Sequence, residues 1–197
     1  KYTDLLRVAF SSRFDRGKLT NLVSLLSGRN FETRQYEEKI KTKSFKDLEA
    51  GVLDAINETY FKRFIMILRS AGIISKKFYT SVNNVNLSYV LYIRLKAQKM
   101  PLNITEKLVK KWYVMSNLTG RYSGSSDSKI EDDVKNFKSK TIEEYLEKTE
   151  KAELSDAFWD ETLISSLKQA SSQSAYLGMF WAAQVNNNEK AFLSKDH

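Results

Sequence analysis

The chain contains no cysteine. That absence excludes disulfides, thiolate zinc sites and thiol nucleophiles together, and it fits a reducing compartment. Its one histidine is His197, the last residue. Neither a Ser-His pair nor a histidine metal site can be assembled from it, and the HExxH pattern is absent. No apolar run has the length of a membrane span, since Phe64 to Leu68 is broken by Arg69 and ends at Gly72. The opening Lys1-Tyr2-Thr3-Asp4 carries no signal-peptide apolar region, so a soluble cytoplasmic domain is expected. A start without Met is read as a segment of a longer protein. No glycine-rich loop follows a strand pattern, which excludes a Walker or Rossmann nucleotide site.

One proline and 7 glycines in 197 residues leave few helix breakers. The 42% hydrophobic content supplies enough apolar surface for a core, which argues against disorder. Apolar spacing predicts an all-α fold of about nine or ten helices, as one domain or two packed helical subdomains. A helix is expected over 2–13, and another over 16–27 with Leu19, Leu22, Leu25 and Leu26 on one face. A solvated helix is expected over 34–43. Ser44 then caps a separate one carrying Phe45, Leu48, Val52, Leu53 and Ile56 inward.

The next helix, over 60–71, buries Phe61, Phe64, Ile65 and Leu68 and stops at Gly72. Residues 84–97 are apolar on nearly every side, which places that helix at the centre. After Pro101, Asn103 and Glu106 read as a capping box, with Ile104, Leu108, Trp112 and Met115 facing in. Ser128 to Glu131 reads as a second capping box, ahead of a stripe of Ile130, Val134 and Phe137. Thr141 to Glu144 opens another helix. Two more carry Trp159, Leu163, Ile164 and Leu167, then Leu177, Phe180, Trp181 and Val185.

Charge divides the chain. Residues 1–120 hold 22 Lys/Arg against 10 Asp/Glu, a balance of +12, while 121–197 hold 10 against 14, a balance of −4. This divides a basic helical part (1–120) from an acidic one (121–197). Residues 59–113 concentrate the excess, with 11 Lys/Arg (Lys62, Arg63, Arg69, Lys76, Lys77, Arg94, Lys96, Lys99, Lys107, Lys110, Lys111) against Glu106 alone. A band of this kind attracts phosphate backbones through counterion release, whatever the base sequence. Cations dispersed around a soluble surface are the plainer alternative.

The acidic runs Glu131-Asp132-Asp133 and Glu143-Glu144 fall in expected first turns, where carboxylates favour the helix dipole. Glu37-Glu38-Lys39 superficially matches the E-x-K of some nucleases but lacks a strand scaffold. No catalytic or metal-ligating residue is assigned.

Where the charge changes sign stands Leu118 to Ser128 (LTGRYSGSSDS), with two glycines and five serines or threonines. Gly120 and Gly124 permit a left-handed backbone. Arg121 can fork onto phosphate or a guanine edge, and Tyr122 can stack on a base. In the alternative reading Arg121 pairs with a carboxylate such as Asp127 or Asp132, and Tyr122 fills the core.

Several strings occur in a consistent order: Leu6 to Phe10, Leu25 to Phe31, Asn86 to Tyr89, Lys111 to Val114, Leu118 to Ser125 and Phe192 to Asp196. Together they resemble the central helical region of GmrSD-type proteins, bacterial anti-phage restriction proteins that depend on DNA modification. The resemblance implies a larger polypeptide. A ParB-like nucleotide-hydrolysing domain with a DGQQR-type motif would precede this segment, and often an HNH-like nuclease motif would follow it. Neither motif occurs here, so no catalytic residue is carried over. Nucleotide and divalent metal would belong to those flanking domains, and this segment would hold no cofactor of its own. Within the matched strings Arg29, Asn30, Gly120, Arg121, Tyr122 and Ser123 carry over, without assigned roles.

The expectation is therefore a non-catalytic helical scaffold of a DNA-targeting defence protein, with double-stranded DNA and the flanking domains as partners. Candidate nucleic-acid contacts are Arg121, Tyr122, Ser123, Arg29, Asn30, Lys62, Arg69, Lys110 and Lys111. A purely structural or protein-interaction domain is the alternative.

Overall fold

The computed structural model describes residues 1–75, 78, 81–124, 127–138, 141–168 and 174–188. Lys76, Lys77, Ser125, the string Phe192 to Asp196 and His197 lie outside them. Among the described residues there are ten α-helices and no β-strand, with one isolated antiparallel bridge between Arg29 and Tyr36. In chain order they are α1 (Tyr2–Arg13), α2 (Thr20–Leu26), α3 (Glu38–Ala55), α4 (Glu58–Ser70) and α5 (Val82–Ala97). There follow α6 (Leu102–Leu118), α7 (Asp127–Asn136), α8 (Ile142–Glu153), α9 (Ile164–Lys168) and α10 (Ala175–Asn186). A π-helical turn, Phe158–Leu163, leads into α9. No described helix is long and apolar enough to cross a membrane.

α5 is the axis of the fold, as its all-round apolar character predicts. Every residue from Asn86 to Leu95 is buried, and α1, α4 and α6 pack against it. Ser81 caps it, its side chain accepting from the Asn83 N–H at 3.2 Å. One hydrophobic cluster runs from Val8 in α1 through α4, α5 and α6 to Val134, Leu146 and Ala182. Both charge halves thus contribute to a single core. Phe10, Phe14 and Leu22 form a second cluster, covered by Leu19, Leu25 and Leu26 of the predicted leucine face.

Several local expectations give way to tertiary contacts. α2 begins at Thr20 rather than Arg16, because the Gly17 and Lys18 N–H groups donate to the Glu131 carboxylate at 2.6 and 3.1 Å. α3 is one helix, and Ser44 is an interior buried residue rather than a cap. Its contact face is set at Gly51, where an added Cβ would lie 2.3 Å from the Ala9 carbonyl oxygen. That close crossing with α1 turns Phe45, Leu53 and Ile56 outward, at 51%, 61% and 56% exposure.

In α4, Asn57 accepts from the Tyr60 N–H at 3.0 Å as N-cap, and Phe61 is half exposed. Gly72 ends this segment at φ +82°, with Ala182 of α10 so close that an added Cβ would overlap its carbonyl. Pro101 occupies the N-cap position of α6, which places Asn103 inside the first turn. α7 starts at Asp127, so Ser128 is likewise inside the helix. In α10 the buried residues are Gly178, Met179 and Ala182, while Phe180 faces solvent. Trp159, Ile164 and Leu167 are also about half exposed, so the stripe expected there is not buried.

Candidate nucleic-acid interface

The loop after α6 turns inward. Gly120 takes φ +62°, and the Arg121 N–H closes the helix end on the Ser116 carbonyl at 3.0 Å. The next two side chains then enter the core, with Arg121 8% and Tyr122 1% exposed. Arg121 donates from Nε to Asp133 Oδ2 at 2.9 Å and from Nη2 to Asp133 Oδ1 at 2.7 Å. Its Nη1 reaches Glu153 Oε1 at 2.5 Å, and the guanidinium lies over the Trp112 ring. Tyr122 Oη donates to Asp133 Oδ2 at 2.6 Å, and Tyr145 Oη donates to Oδ1. A fully buried carboxylate thus accepts four hydrogen bonds from three side chains.

Protonation follows from this geometry. Burial works against the Arg121 charge, but the hydrogen bonds and charge of Asp133 outweigh it and raise the guanidinium above its ordinary range. Burial, then the neighbouring Asp133 charge, push the Tyr122 and Tyr145 hydroxyls upward. The network is therefore one cation, two carboxylates and two neutral phenols.

This corrects the expectation that Arg121 and Tyr122 face a nucleic acid. The guanidinium fork is closed on Asp133, which is neither of the carboxylates named from sequence. Asp133 was read as a helix-dipole residue and Glu131 as a cap partner. Both instead make tertiary contacts. The pattern held a clue, because Ile130, Val134 and Phe137 form a stripe whose i+3 position is Asp133. A carboxylate on a buried stripe requires partners inside the fold.

The other loop candidates are also engaged. Ser123 is exposed, and its hydroxyl donates to the Gly120 carbonyl at 2.6 Å. Asn30 Oδ1 accepts from the Glu32 and Thr33 N–H groups at 2.9 and 3.2 Å, while its Nδ2 donates to Glu37 Oε1 at 2.7 Å. It pins the α2–α3 turn, where Arg29 sits half-buried on the β-bridge.

The basic band divides into internal, paired and free cations. Arg94 is internal, 6% exposed, donating from Nε and Nη2 to the Ser11 carbonyl at 3.0 and 2.7 Å and from Nη2 to Phe14. It satisfies carbonyls at the C-terminal end of α1, which a buried helix end requires. Lys62 pairs with Glu58 at 2.6 Å, and Lys111 with Glu150 at 2.7 Å. Lys110 Nζ donates to the Ser70 carbonyl at 2.6 Å. Arg63, Arg69, Lys99 and Lys107 are exposed and have no carboxylate within salt-bridge distance among the described residues.

The Lys110–Ser70 bond lays the middle of α6 beside the end of α4. Nearer the other end, Arg63 of α4 and Glu106 of α6 both act on the buried Tyr92 hydroxyl. Arg63, Arg69 and Lys107 thus project from two adjoining helices. Ion pairs also join the charge halves: Arg7–Asp127, Arg16–Glu131, Lys138–Asp15 and Lys111–Glu150. Part of the sequence asymmetry is internal complementarity.

Among the described residues, no group of three or more His, Cys, Asp or Glu is arranged to hold a metal ion. Compared with family profiles, curated proteins and solved structures, the chain matches none.

Proposed function

We propose that this chain is a non-catalytic helical scaffold of a GmrSD-like, DNA-targeting defence protein, which meets the backbone of double-stranded DNA through α4. The observation that carries the reading is the pair of exposed cations on α4, Arg63 and Arg69, which have no carboxylate within salt-bridge distance among the described residues. Such charges bind phosphate without reading bases. The family part rests on the ordered strings from Leu6 to Phe10 through Leu118 to Ser125. Flanking domains of the same polypeptide would supply nucleotide hydrolysis and cleavage.

The inward Arg121, Tyr122 and Arg94 favour a second reading, a structural domain whose charges serve its own fold. Fluorescence anisotropy with a labelled DNA duplex across salt separates the two. Contact through the band gives affinity that falls linearly with log salt, and Arg63→Gln and Arg69→Gln each flatten that slope by about 0.9. No binding at low salt, or a slope unmoved by both substitutions, overturns the DNA reading.

A further inference from the structure

The charges of α4 and of the adjoining α6 differ in their surroundings. The α4 cations Arg63 and Arg69 are open, whereas on α6 Lys107 and Lys111 share a groove with carboxylates and Lys110 donates to the Ser70 carbonyl. Lys107 and Lys111 are i and i+4, so they share one face of α6. Opposite them on α8, Glu143, Glu147 and Glu150 are i, i+4 and i+7 and also share one face. The two faces line a single groove of about 270 Å³, floored by Leu108, Trp112, Met115 and Leu146. Within it Lys111 Nζ meets Glu150 Oε2 at 2.7 Å.

We propose that the Glu143–Glu147–Glu150 face of α8 is a built-in counterion screen, which neutralises Lys107 and Lys111 of α6 and confines polyanion contact to the α4 side. The proposal rests on the polyanion-binding reading above. Three carboxylates face two ammonium groups across the groove, and Glu147 also pairs with Lys151 at 2.9 Å, so the groove carries no excess positive charge. A phosphate approaching α6 there gains no net attraction, and repulsion from the carboxylates disfavours that path. Glutamates held in this position do what the phosphates of a bound strand would do.

The screen is fixed in place. Ile142 and Leu146 are buried, Tyr145 is tied to Asp133, and Glu153 is tied to Arg121. α8 is thereby anchored along its length by groups that leave Glu143 and Glu147 exposed and Glu150 half exposed. Its glutamates shape where a polyanion can lie; they do not swing aside as a lid would.

The test is a salt titration of duplex binding by the triple variant Glu143→Gln, Glu147→Gln, Glu150→Gln. A charge-matched control carries Glu32→Gln, Glu49→Gln and Glu161→Gln, all exposed and on other elements. Removing the screen frees two lysines, so the slope of log affinity against log salt steepens by about 1.8, at roughly 0.9 for each new phosphate contact. The control tightens binding only through net charge and keeps the wild-type slope. Adding Lys107→Gln and Lys111→Gln to the triple variant returns the slope to the wild-type value.

Binding by the triple variant where wild type and control show none overturns contact through α4, and with it the confinement of a polyanion to that side. Equal slopes for the triple variant and the control overturn the screen and leave the α4 reading standing. No binding by any of the proteins at low salt overturns the polyanion reading, and the screen with it.

Discussion

Arg121 and Asp133 form a two-pronged ion pair inside the fold, with Nε–Oδ2 at 2.9 Å and Nη2–Oδ1 at 2.7 Å. Asp133 is fully buried and Arg121 nearly so. The pair ties the loop after α6 to α7, and through Glu153 and Tyr145 to α8. The Leu118–Ser128 loop is therefore a structural joint.

Removing one partner leaves the other charge buried and unpaired. Asp133→Ala is expected to cost about 3–5 kcal/mol in urea unfolding. Combining it with Arg121→Met costs less than the two losses added, because no lone charge is left inside. A loss under about 1 kcal/mol for Asp133→Ala would contradict the buried network.

Arg121→Met alone lowers stability but leaves duplex affinity, measured on folded protein, unchanged. Weaker binding with an unaltered circular dichroism spectrum would return Arg121 to the interface.

Glu131 makes stability pH-dependent. Burial alone would raise its carboxyl, but the Gly17 and Lys18 N–H groups, with Lys135 and Arg16, outweigh burial and hold it below the ordinary range. A carboxyl depressed in the folded state contributes stability above its unfolded value, lost as pH falls through the folded one. Glu131→Gln should therefore unfold at lower urea than wild type at neutral pH, and the gap should close on acidification. A gap constant with pH would show that the charge is immaterial.

Gly51→Ala sets helix propensity against packing. Alanine is favoured over glycine within a helix by about 1 kcal/mol. Here its Cβ would lie 2.3 Å from the Ala9 carbonyl oxygen and 2.9 Å from the carbonyl carbon, both backbone atoms. A net loss of about 1–3 kcal/mol is expected as α1 is pushed from α3. A stabilised variant would mean that the helices can separate freely.

Arg94→Met keeps the apolar stem but removes the donors that reach Ser11 and Phe14. Each buried acceptor left bare costs about 1–3 kcal/mol. Amide exchange should accelerate over the last turn of α1 and the residues after it. Unchanged exchange there would show that Arg94 does not hold that helix end.

How much of this was legible varies by residue. The apolar run from Leu87 to Leu95 identified the central helix, because a helix without a polar face has only one stable location. Ser44 misled, since a serine ahead of an apolar stripe has the chemistry of a cap whether or not the helix continues through it. Glu131 misled in the same way: its spacing from Ser128 matched a capping box, while its real partners lie at Gly17 and Lys18. Arg94 within an apolar run, and Asp133 within an apolar stripe, were visible anomalies whose partners were not.

The amino-acid sequence by itself determined that this chain is all-α, which helix lies at its centre and where its excess charge sits. Those properties follow from periodicity and composition, which act over a few residues. Only the tertiary structure decided which charges are available. Arg121 and Arg94 turned inward, Lys111 met Glu150, and Arg63 and Arg69 stayed open. The physical reason is that a charged side chain is paired or free according to what is folded against it, and those neighbours come from distant parts of the chain.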